Sequence, residues 1–118
     1  MLTIAMVQKQ VAEYYSVDDY DFIYYLKCAS RLIEFTGPRH VAMYLCRKLI
    51  ENGGNKLSYK KIGKEFGDRH HSTVMSAVRG IEWEMKYNEK LKADVCFLIN
   101  SLQINQHGLN VNYIYVEK

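Results

Sequence analysis

The residues best suited to chemistry lie side by side in Arg69-His70-His71-Ser72-Thr73, just after a Gly67-Asp68 pair. Imidazoles can hold a metal, act as general bases or make hydrogen bonds. A metal would need further ligands, and the other histidines, His40 and His107, stand at spacings that match no zinc motif. Neighbouring helix residues also point about 100° apart, so His70 and His71 cannot easily share an ion. Nucleophilic catalysis would need an orienting carboxylate beside Ser72 or Thr73, and no Asp or Glu stands at a suggestive spacing. The expectation is neither a metal site, nor a cofactor site, nor an enzyme. Two readings remain: polar residues that merely open a helix, or short polar side chains that meet the base edges of duplex DNA.

The surrounding elements favour the second. Helical periodicity is strong and strand-like alternation weak, so the chain is read as an all-α domain of about six helices. A first helix is expected from Thr3 to Tyr15 with Thr3 as its cap and Ile4, Val7 and Val11 inward. "DDYDFIYYLK" reads as a short helix, and 28–37 as its continuation or a connection. Gly37-Pro38 stops that segment, and Pro38 opens a helix to about Glu51, with Val41, Leu45 and Leu49 inward. "NGGNK" is a loop. Ser58 caps a short helix, Tyr59 to Phe66, with Ile62 and Phe66 inward. After the Gly67-Asp68 turn a longer helix runs from near His70 to about Tyr87, carrying Val74, Ala77, Val78, Ile81 and Met85. A last helix is expected from Glu89 to Leu102, which puts one domain at 1–102 and a tail of open structure at 103–118. Residues 58–87 thus form a helix-turn-helix, whose second helix enters the major groove in DNA-binding folds.

Charge is distributed unevenly. Residues 23–80 hold eleven Lys/Arg against four acids, while the rest of the chain holds five against nine. A basic middle between acidic ends fits one face for a polyanion. Lys60, Lys61, Lys64, Arg69 and Arg79 surround the histidines. Cys28, Cys46 and Cys96 form no C-x-x-C pair and are read as reduced. With no signal-peptide pattern and no apolar run long enough to span a bilayer, a soluble, cytoplasmic, nucleoid-associated chain with no membrane partner is expected.

Three segments resemble one family, the C-terminal DNA-binding domain (domain IV) of the bacterial replication initiator DnaA: "TIAMVQKQVAEYY", "GPRHVAMYLCRKL" and, most specifically, "SYKKIGKEFGDRHHSTVMSAVRGIE". The match runs in order over roughly residues 3–102. It implies a Trp repressor-like helix-turn-helix fold and double-stranded DNA as partner, at short origin sites called DnaA boxes. Residue by residue, it implies that His71, Ser72 and Thr73 meet the major groove, with Arg69 at the signature arginine. It implies that Arg39, His40 and Arg47 hold the backbone, and that Arg31, seven residues before Pro38, enters the minor groove.

The departures from the family pattern carry expectations of their own. His70 replaces an aspartate that caps the helix and offers an acceptor to a cytosine amino group, and histidine does neither in the same way. The preferred site is therefore expected to differ at the base pair facing His70, with affinity rising modestly as pH falls through the histidine range. Lys60 replaces a proline and Gly80 a lysine. The stretch between Tyr15 and Pro38 is longer and less basic than usual. No G-x-x-x-x-G-K-[ST] phosphate loop occurs, so no nucleotide binding is expected. Met1 falls where the domain normally starts, which suggests a free-standing protein or a fragment. The expected function is sequence-specific DNA binding without ATPase activity, in the regulation of replication initiation or transcription. Two alternatives stay open. One is a phage or mobile-element repressor on unrelated operators. The other is a protein-interaction module acting through residues 32–35 or the C-terminal tail, which could equally serve self-association.

Overall fold

The structure, a computed structural model, describes residues 2–15, 33–52 and 54–107. In chain order the described elements are α1 (Ile4–Tyr14), α2 (Ile33–Leu49), the two-residue strands β1 (Glu51–Asn52) and β2 (Asn55–Lys56), α3 (Tyr59–Glu65), α4 (His71–Glu84) and α5 (Glu89–His107). The architecture is all-α. The short helix expected from "DDYDFIYYLK", Arg31, the 32–35 side chains and the tail beyond His107 lie outside the described residues.

α1 begins as its sequence dictates: Thr3 Oγ1 accepts a bond from the Met6 N–H at 3.2 Å, satisfying one of the orphan donors of the first turn. Val7 and Val11 are fully buried. Gln8, a polar residue on the same face, is also buried, and its Nε2 donates to the carbonyl of Glu65 at 2.9 Å. That bond ties the first helix to the C-terminus of α3.

α2 departs from expectation. It starts at Ile33 and contains Pro38, rather than starting there. A proline at this point cannot donate to the carbonyl four residues back and costs about 3 kcal/mol. The compensation is tertiary. Pro38 is itself buried, and α2 is the hub of the fold, packing on α1, α3, α4 and α5. Residues Val41 to Cys46 are buried on every side of the helix, well beyond the single stripe of Val41, Leu45 and Leu49. Burial of several such side chains, at about 1.5–3 kcal/mol each, outweighs one lost hydrogen bond. Cys46 sits in this core, where burial pushes its thiol far above the usual range.

The "NGGNK" loop closes as a minimal hairpin, with Glu51 opposite Lys56 and Asn52 opposite Asn55. Gly54 takes a φ of +87° there, which glycine adopts without strain. α3 starts on Ser58, whose Oγ accepts from the Lys61 N–H at 3.1 Å. Ile62 and Phe66 are fully buried, as their spacing predicts.

α4 ends at Glu84, three residues short of the expected Tyr87, and Met85 to Tyr87 form a turn. Asn88 then opens α5: its Oδ1 accepts from the Leu91 N–H at 3.0 Å. α5 runs on to His107, five residues past the expected Leu102. Its apolar stripe stops at Leu102, but the first strong helix breaker is Gly108. Asp94 of α5 is buried and receives the hydroxyls of Tyr14 and Tyr15 together with Lys90 Nζ at 3.3 Å. The Asp94 hydrogen bond and burial push the Tyr14 phenol up to about 12; burial, reinforced by Asp94, pushes Tyr15 in the same direction. This cluster locks α1 against α5.

Candidate nucleic-acid interface

The geometry of the site begins at Gly63. Its carbonyl accepts from Phe66 N–H at 3.1 Å and from Arg69 N–H at 2.9 Å, which closes α3 and draws the chain back on itself. Gly67 and Asp68 then both take positive φ, +85° and +54°. The first suits glycine, and aspartate is among the few side chains that tolerate the second. The two bends set α4 against α3 and α2.

His70 is the N-cap of α4, with extended backbone angles. Its Nδ1 accepts from the Ser72 N–H at 3.2 Å and lies 2.7 Å from Ser72 Oγ. Histidine is expected to cap in a different way from the family's aspartate, and the structure shows how: the ring nitrogen takes the place of a carboxylate oxygen. The cap holds only while Nδ1 keeps its lone pair. The His71 ring stacks on His70 with centroids 4.2 Å apart.

From there α4 presents two opposite faces. Val74, Ala77, Val78 and Ile81 are buried. Ser72, Thr73, Ser76, Arg79, Gly80 and Trp83 are exposed and recur at three- and four-residue steps, so they form one solvent-facing stripe. Tyr87 continues it beyond the helix end, with its ring centroid 5.0 Å from that of Trp83. Ser76, Trp83 and Tyr87 were not singled out from the sequence; the same four-residue step that links Ser72 to Ser76 could have found them.

Two cation-bearing crevices border the helix-turn-helix. One, of about 500 Å³, holds Lys60, Lys61, Lys64 and Arg69 beside Ser58, with Glu65 and Asp68 also on its wall. The other, of about 260 Å³, holds Arg47, Lys48 and Lys56 and reaches α4 at Val78 and Glu82. Lys48 and Lys56 carried no motif signal and were counted only as part of the basic middle. The structure thus places Lys60, Lys61 and Arg69 on one crevice and Arg47 on the other, with His70, His71, Ser72, Thr73 and Arg79 exposed along α4 and its cap. Arg47 is not a loose surface cation. Its Nη1 donates to the Leu57 carbonyl at 2.7 Å, and its guanidinium lies 4.2 Å over the Tyr59 ring. It fixes the entry into α3.

Arg39 and His40 lie on α2 and line neither crevice. Arg39 is only 3% exposed, so its side chain belongs to the interior of the α2 packing. His40 is half-buried. Burial, then the positive charges of Arg39 and Arg69, hold its imidazole below the usual histidine range, in the neutral form. Among the described residues no group of three or more His, Cys, Asp or Glu is arranged to hold a metal ion. Nor is any helix among them long and apolar enough to cross a membrane.

Residues 4–81 match the family described as the bacterial dnaA protein helix-turn-helix. The chain is similar to the chromosomal replication initiator protein DnaA of Limosilactobacillus fermentum, 38% identical over 102 residues that cover 86% of this chain and 21% of that protein. It is 40% identical to the protein of the same name from Anaplasma marginale over 103 residues, 87% of this chain and 20% of that protein. The namesake from Geobacter sp. (strain M21) is 36% identical over 94 residues, 80% and 18% of the two chains. The chain therefore spans about a fifth of the length of the curated relatives it matches. With two thirds of its residues inside the match, the chain belongs to the bacterial DnaA helix-turn-helix family, and its helix-turn-helix is a DNA-binding domain.

Proposed function

We propose that this chain binds duplex DNA sequence-specifically, at sites like DnaA boxes, with α4 in the major groove. The observation that carries the reading is the exposed stripe of α4. Its first turns are small and polar at Ser72, Thr73 and Ser76, His70 and His71 stand at its mouth, and cations border it. Short polar side chains at a helix start can reach base edges. Lys60, Lys61, Lys64, Arg69 and Arg79 then supply sequence-independent attraction to phosphates, with counterion release as its source. Arg31 is proposed for the minor groove on family resemblance alone.

The relatives are named chromosomal replication initiators, and we extend that context to the sites: origin-type sequences occupied in the control of replication or transcription. The 118 residues contain no phosphate-loop motif, so binding by this segment is expected to need no nucleotide and to involve no ATP hydrolysis. Selection from random duplex DNA, followed by binding isotherms at increasing salt, tests the reading. A defined box should emerge, and affinity should fall by roughly two orders of magnitude between low and moderate salt if about five phosphates are neutralised. Equal, weak binding to all sequences would sink it.

A further inference from the structure

His70 has a geometry that fixes more than the start of a helix. Its Nδ1 lies 3.2 Å from the backbone N–H of Ser72, and a backbone N–H can only donate. Nδ1 therefore carries its lone pair. A neutral imidazole bears one ring proton, which must then sit on Nε2. Ser72 Oγ, 2.7 Å from the same Nδ1, can donate to it as well, so both groups on that side favour one tautomer. The ring of His71 lies beside it, with centroids 4.2 Å apart and planes inclined by 33°, which favours the same orientation. His70 is exposed and immediately precedes the face of Ser72 and Thr73.

We propose that His70 is a specificity-determining residue whose cap-locked ring donates from Nε2–H to a guanine acceptor in the major groove. The inference rests on the DNA-reading function proposed above. Guanine is the fitting base because it shows two adjacent acceptors there, O6 and N7, and no donor. Thymine shows one acceptor beside a methyl group, and adenine shows one acceptor beside an amino group that would meet the Nε2–H donor to donor. The cap and the reading bond use opposite sides of one ring, so each helps orient the other.

Two substitutions keep the cap and separate the possibilities. His70→Asn can cap through its oxygen and still present N–H donors. His70→Asp caps equally well and presents only acceptors. Sites are selected from random duplex DNA with the wild type and both variants, and the ring nitrogens of the free wild type are assigned by nitrogen-15 NMR. The wild type should show the Nε2-protonated tautomer. One base-pair position should change between wild type and His70→Asp while the rest of the site stays fixed. At that position, either 7-deazaguanine, which lacks N7, or 2-aminopurine, which lacks O6, according to which acceptor the ring meets, should weaken the wild type and His70→Asn by roughly three- to ten-fold more than His70→Asp, the size of one hydrogen bond. An Nδ1-protonated ring, a site unchanged by His70→Asp, or a position read as adenine or thymine overturns the assignment. A wild type that selects no sequence at all removes the DNA-reading function itself, a result distinct from a selected site that ignores His70.

Discussion

A β-carbon added at Gly63 would stand 2.2 Å from the carbonyl oxygen of Arg69. No real β-carbon approaches a backbone oxygen so closely, and Arg69 is held there by its own N–H bond to the Gly63 carbonyl. The crossing of α3 and the start of α4 therefore needs glycine at this point. Gly63→Ala is expected to destabilise the domain by roughly 3 kcal/mol, at the upper end of overpacking costs. Gly80 is the contrast, since nothing lies within 4 Å of an added β-carbon there. Gly80→Ala removes a mid-helix glycine and should stabilise by about 0.5–1 kcal/mol. Urea denaturation of the two variants checks both signs. Equal effects would mean that the close approach at Gly63 is not a constraint.

The double role of Arg47 gives the second prediction. Its bond to Leu57 and its stack on Tyr59 mean that Arg47→Ala removes a support of α3 as well as a cation. Stability should drop by about 2–4 kcal/mol, a charged hydrogen bond plus a cation–π contact, and affinity for all sequences should fall together. Arg39→Ala, at a buried position, should act mainly on stability. Thr73→Ala, on the exposed stripe, should leave stability nearly unchanged and lose about 1–3 kcal/mol of discrimination at one or two base pairs. Thermal melts paired with binding to cognate and scrambled duplexes separate the three. If Arg47→Ala and Thr73→Ala behave alike in both measurements, the division between positioning and reading is wrong.

Much of this site was legible in the sequence because its signals are local. Ser58, Gly67-Asp68 and the Val74–Ala77–Val78–Ile81 stripe report caps, a turn and a face through residue type and spacing alone. What escaped depends on tertiary context. Pro38 reads as a helix start by any local rule, and only the burial of α2 on every side lets the helix run through it. The end of α5 was set by the last apolar residue of its stripe, Leu102, although nothing in the next five residues breaks a helix. The burial of Arg39 and the tether of Arg47 to Leu57 depend on chain segments folding onto each other, which charge counting cannot see. The form of the His70 cap is not legible for another reason: histidine is a less usual capping residue than aspartate, and the role needs one particular tautomer.

His40 makes stability depend on pH. Its imidazole titrates below the usual histidine range, first because it is desolvated and then because Arg39 and Arg69 oppose a third positive charge. In the unfolded chain it regains its ordinary value, near 6.5. Between the two values the unfolded state binds more protons, so stability rises with pH through that interval. At neutral pH the ring is uncharged in both states and nothing is lost. As pH falls below about 6.5 the penalty grows until the folded-state ring also titrates. The melting temperature of the wild type should therefore decline from pH 7 to 5 more steeply than that of His40→Gln. Parallel curves would show that His40 is accommodated in its charged form.

Trp83 gives the last prediction, because it is the chain's single tryptophan. It is 63% exposed and lies on the α4 stripe that begins at Ser72. Eleven residues at about 1.5 Å each place it about 16 Å from Ser72 along the helix. A major groove is about 12 Å wide, so a helix inserted by its N-terminal end carries Trp83 to the groove's edge, beside the sugar–phosphate backbone. Indole emission should change when duplex DNA binds. Added salt should restore it along the same steep curve that anisotropy of a labelled duplex reports. Trp83→Phe should remove the optical signal while costing little affinity, since Arg79 and the lysines of α3 still supply the charge. Glu82 and Glu84 lie on either side of Trp83, and their like charge limits how tightly a phosphate can approach it. An emission spectrum that does not move while anisotropy shows full binding would place the Trp83–Tyr87 pair away from the DNA. That outcome would leave an exposed aromatic surface for a protein partner at the far end of the recognition helix.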